Sequence, residues 1–115
     1  VSVLPAAGRW TPFDGRALLD DVGTALDEVE PAEDEIEGIA ERLRGHLMRL
    51  VDIAVAAGAG IDEETAALIE QARDVRVEEA PGSHWRAVGH VRRMAWTANN
   101  LLERLSLLGC LRQYA

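Results

Sequence analysis

The sequence predicts an all-α protein: an antiparallel four-helix bundle with two long helices, the second and the fourth, and an irregular N-terminal arm. Apolar residues recur every three or four positions in four separate stretches. Pro, Gly, or a capping Asp or Ser bounds each stretch. Alternation of apolar and polar residues never persists long enough for a strand.

At 115 residues the chain has the size of one domain and can bury one continuous core. The expected division is an arm over 1–13 and a bundle over 14–115. Pro5, Gly8 and Pro12 make the arm irregular, and Trp10 and Phe13 are the residues expected to tie it down. Asp14 is the expected N-cap of the first helix. Leu18, Val22, Ala25 and Val29 form its stripe, and Pro31 is expected in the first turn of the next helix.

The second helix opens on Glu33, Asp34, Glu35 and Glu37, acids that favour the positive end of a helix dipole. Its stripe is Ile36, Ile39, Ala40, Leu43, Leu47, Leu50, Val51 and Ala54, and Gly58 and Gly60 stop it near Ala57. Gly38, Arg42, Gly45 and Arg49 share another line, along which glycine costs roughly 1 kcal/mol against alanine. That line suits the close approach of a helix, although chance explains it equally well.

Asp62 should cap the third helix, with Thr65 in its first turn and Ile61 as a hydrophobic staple. Leu68, Ile69, Ala72 and Val75 follow. Residues 78–82 read as a turn. Ser83 should cap the fourth helix, whose stripe is Ala87, Val91, Met94, Ala98, Leu101, Leu105 and Leu108, widened by Val88, Ala95 and Leu102. Its end is expected at Gly109 or as far on as Arg112.

The net charge of −8 comes from 20 acids and 12 bases, and every base is Arg. A chain of that sign is repelled by nucleic-acid phosphates and anionic lipid. Neither is expected as a partner, although Arg86, Arg92 and Arg93 form a local basic group. The weakly polar run from Ile53 to Ile61 is about half of a membrane span. The first twelve residues lack the basic start and apolar run of a signal peptide. Cys110 is the single cysteine, which fits a reducing cytoplasm.

No catalytic constellation and no cofactor motif emerges. Cys110 lacks a neighbouring base. His46 and His90 have Arg42, Arg49, Arg86 and Arg93 at their helical neighbours, where a metal site would need carboxylates. No metal is expected, and each His reads as a boundary residue bonded to a neighbour. The most informative pattern is Trp85, Gly89, Arg92, Trp96 and Asn99, on one polar line of the fourth helix. Two tryptophans bracketing an arginine suit a cation–π stack, and exposed Trp with Arg is the composition of a binding hot spot.

Leu43-Arg44-Gly45-His46-Leu47 and Gly89-His90-Val91-Arg92-Arg93-Met94-Ala95, followed by Asn99, resemble a small actinobacterial family. Its members are known only as natural product biosynthesis proteins and have no established activity. The resemblance runs from the first helix to the fourth. Trp96 departs from it where a polar residue is usual, and Leu105 where an aromatic is usual. It implies a bacterial cytoplasmic setting near specialised metabolism and assigns no chemistry.

The expected function is therefore that of a non-enzymatic accessory or interaction protein. It would act through Trp85, Arg92, Trp96 and Asn99 on a protein partner or on itself, a homodimer being the simplest form. The alternative is an enzyme or ligand-binding protein with a pocket inside the bundle, where His46, His90 and Arg93 hold an acidic metabolite.

Overall fold

The described residues of the computed structural model, 13–77 and 83–111, form four α-helices. These are α1 (Gly15–Leu26), α2 (Glu33–Ala56), α3 (Glu63–Val77) and α4 (His84–Leu107), with a 3₁₀ turn at Ala59–Ile61. No strand occurs among them. At 24 residues each, α2 and α4 are about 36 Å long. The 12-residue α1 and 15-residue α3 reach only about 18 and 22 Å.

The two long helices pack directly on each other, and the short pair flank them on opposite sides. Direction follows from the cross-helix contacts. Asp62 at the start of α3 meets Arg104 near the end of α4, while Gln71 meets Thr97. Helices α2 and α3 share a cleft lined by Met48, Asp52, Arg73 and Arg76, and the short connection between Ala56 and Glu63 turns α3 back along α2. So α3 runs antiparallel to both long helices, and those two run the same way.

The core is built from most of the expected stripes, with Val51, Leu68, Ala87 and Leu102 only half-buried against it. Leu18, Leu43, Leu47, Leu50, Met94, Leu101 and Leu105 are fully buried. The small residues Ala25, Ala54, Ala95 and Ala98 lie between them and allow close helix packing. Thr65 and Thr97 are buried with their hydroxyls bonded. Thr65 Oγ1 donates to Asp62, and Thr97 Oγ1 donates to the Arg93 carbonyl and accepts from Gln71.

The helix ends follow local chemistry. Asp14 accepts from the Ala17 N–H at 3.0 Å and caps α1. Ala32, which has no side-chain oxygen, caps α2 only through half of a capping box: Glu35 reaches back to its N–H at 3.1 Å. Both long helices close on a left-handed glycine, Gly58 at φ 71° and Gly109 at φ 75°. At Gly109 the closure is a full Schellman motif, with Cys110 N donating to Leu105 O and Gly109 N to Ser106 O. A β-carbon at either position would be strained.

Several expectations are corrected. Val29 lies beyond α1 and is 77% exposed. The Asp27 carboxylate accepts from the Val29 N–H at 3.1 Å and replaces the next helical turn. Pro31 precedes the α2 cap rather than entering the first turn, and it is buried there. Ile61 is 94% exposed, so it staples nothing; Ala59 takes the buried position. Leu108 is the C-cap of α4 and lies outside the core. Ser83 caps α4 by position, but its hydroxyl makes no cap bond.

Phe13 packs half-buried on the core. The rest of the expected arm, including Trp10, lies outside the described residues, as do the turn at 78–82 and any continuation to Arg112.

Candidate interaction face

One side of α4 is left uncovered by the bundle, and its large apolar residues stand at equal intervals. Trp85 is 71% exposed, Trp96 is 55% and Leu107 is 75%. Eleven residues separate each from the next, three helical turns with a drift of about 20°. The three therefore form a nearly straight row along the helix. Gly89, Asn100 and Glu103 lie on the same side. The sequence does not single out Leu107, because a leucine between Leu105 and Leu108 of the aliphatic stripe reads as core. Its distance from Trp96 is the signal that could have found it.

The expected members of this face separate. Arg92 does not stand free between the tryptophans. Its Nε donates to the Ala25 carbonyl at 3.1 Å and its Nη2 to the Asp27 carbonyl at 2.8 Å. It closes the C-terminus of α1, whose last turn holds no base of its own. The cation–π contact belongs to Arg86 instead, 5.6 Å from the Trp85 ring centroid. Asn99 is half-buried and donates to Glu103 one turn on, at 3.4 Å.

The alternative ligand set is not brought together. His46 lies between α1 and α2, where its Nε2 bonds Asp21 Oδ2 at 2.8 Å. Arg42, one turn earlier, donates to the other oxygen of the same carboxylate at 3.0 Å. Asp21 thus pins α1 to α2, and His46 is the boundary residue expected. His90 differs: it is 2% exposed, inside the bundle rather than at its edge. The helical pattern hides this because position 90 lies just beside the stripe. Arg93 lines an open groove of about 450 Å³ between α3 and α4. Glu70 and Asp74 stand in that groove with it and oppose an acidic metabolite.

A second groove of about 370 Å³, lower between the same helices, is lined by Leu68, Leu107 and Arg104 among others. Arg104 is already matched. Its Nε and Nη2 grip both oxygens of Asp62 at 3.0 and 2.8 Å, and Nη1 lies 3.4 Å from Glu64. Asp62 also caps α3, accepting from the Thr65 N–H at 3.0 Å. Arg104 first, then Thr65, holds the Asp62 carboxyl far below the usual carboxylate range. The stabilisation from this pairing is present above the unfolded pKa of about 3.9 and is lost as pH falls toward the folded value. Asp62→Asn is therefore expected to lower stability at neutral pH, by a difference that shrinks below about pH 4. Urea unfolding at a series of pH values checks this, and a gap that stays constant into strong acid would exclude the ion pair as its cause.

Among the described residues, no three His, Cys, Asp or Glu side chains are placed to hold a metal ion. No helix there is long and apolar enough to cross a membrane. Among the described residues, a Cβ at Gly45 would meet nothing within 4 Å, so none of their side chains or helices closes on α2 at that point.

The fold and this face define a small all-helical bundle that presents an uncovered helix edge. The chain belongs to a family described as a family of unknown function (DUF6415), which matches residues 16–110, from α1 to the end of α4. Comparisons with curated proteins and with solved structures return no match.

Proposed function

We propose that this protein is a non-enzymatic accessory protein that works by docking through the outer face of α4. The observation that carries the reading is the exposed row of Trp85, Trp96 and Leu107. Large apolar side chains in water cost solvation free energy, and a row of them rimmed by polar residues is what a protein interface presents before it is filled. Tryptophans anchor such interfaces because each buries a large area and loses few rotamers. A cytoplasmic setting in actinobacterial specialised metabolism is part of the proposal. It is supported by the His90-to-Asn99 motif and by the lysine-free composition.

The test is a paired capture. The double variant Trp85→Ala, Trp96→Ala is expected to keep its folding stability within about 0.5 kcal/mol, because both side chains stand outside the core. It is expected to lose the partners that the wild-type chain retains from its host extract. Retention of every partner by the folded variant would refute the reading.

A further inference from the structure

We infer that the partner of the α4 face is a second copy of this chain, docked antiparallel about a twofold axis beside Trp96. The inference rests on the docking reading above and names its partner.

Geometry supplies the first reason. Trp85 and Leu107 each lie eleven residues from Trp96, so the apolar row is symmetric about its own centre. A half-turn about that centre sets Trp96 against Trp96 of the second copy and Trp85 against Leu107 of the second copy. A twofold interface must be self-complementary in this way.

Charge supplies the second reason and sets the direction. Beside the row, the N-terminal half of α4 carries Arg86, which lies over Trp85, and Arg93, whereas Arg92 is turned to the α1 carbonyls. The C-terminal half carries Glu103, and Arg104 there is outweighed by Asp62 and Glu64. In the antiparallel register Glu103 of each copy faces Gly89 of the other, between Arg86 and Arg93. A parallel pair would set Arg against Arg. Gly89 leaves a dip in the row: a Cβ there would meet only the Arg93 guanidinium, at 3.8 Å. At a net charge of −8 per chain, two copies repel at a distance. A face that alternates in sign from end to end offsets that repulsion locally.

The contact is a single helix edge, at the small end of specific interfaces, so the dimer is expected to form at micromolar concentrations. Sedimentation equilibrium of the full chain should show the mass rising with concentration from 12.5 kDa toward twice that value. Trp96→Ala should hold it at one chain. Cysteine pairs locate the axis. In a Cys110→Ser background, Trp96→Cys should form a disulfide dimer with itself under mild oxidation. Trp85→Cys should cross-link only when mixed with Leu107→Cys. Equal self-cross-linking by Trp85→Cys would overturn the antiparallel register. A mass that stays at one chain at every concentration would overturn self-association while the capture test still decides the docking reading. A dimer that survives Trp96→Ala would put self-association on another surface and overturn the twofold at Trp96, while the capture test still decides the docking reading.

Discussion

Truncating Leu47 to alanine is expected to cost about 3–5 kcal/mol of folding stability, the largest effect of any single change considered. Leu47 is fully buried midway along α2, and it also lines the cleft toward α3. The loss combines two parts: the transfer free energy of the missing carbons, and a cavity that helices on several sides cannot all close at once. A domain of this size has roughly 5–15 kcal/mol in total, so the variant should sit near the edge of folding. Urea denaturation monitored by far-ultraviolet circular dichroism measures it. A loss under about 1 kcal/mol would mean that the α2 stripe does not form the centre of the core. Leu47→Met, which conserves volume, should cost less than about 1.5 kcal/mol.

Replacing Arg92 by alanine is expected to cost about 1–2 kcal/mol, a discounted value because one of its two bonds is exposed. The variant leaves the carbonyls of Ala25 and Asp27 without their charged donor. The effect should be local. Hydrogen exchange should quicken in the last turn of α1 before it changes in α3. Arg92→Lys should recover only part of the loss, because one ammonium does not reproduce a planar fork reaching two carbonyls. If Arg92→Ala left stability and α1 exchange unchanged, its role as the cap of α1 would be refuted.

What the sequence made legible is whatever repeats along a helix or acts within one turn. The stripes of α2 and α4 fall in the core, and Asp14 and Asp62 cap where their spacing to the next N–H groups says they should. Periodicity identifies a face but not what lies opposite it. Arg92 meets α1 across 65 and 67 residues and Arg104 meets Asp62 across 42, separations that leave no local trace. That is why Arg92 read as part of an exposed line and proved to be a cap. Val29 and Ile61 fail for another reason: Val29 continues an apolar spacing past an Asx turn, and Ile61, expected as a staple from its place before Asp62, follows a left-handed glycine that has already redirected the chain. The tryptophans were legible as exposed because they lie off the aliphatic stripe, and Leu107 was not, because leucine in a helix reads as core.

The cap on α1 also has a consequence for the order in which the chain matures. Synthesis runs from the N-terminus, so α1 emerges well before the arginine that closes it. Until α4 exists, the last carbonyls of α1 lack their charged donor, and among the described residues Asp21 with Arg42 and His46 tethers α1 to α2. An isolated helix of 12 residues is marginal in water. Helix α1 is therefore made before the arginine that secures it, and protection of its final turn reports that α4 has been delivered.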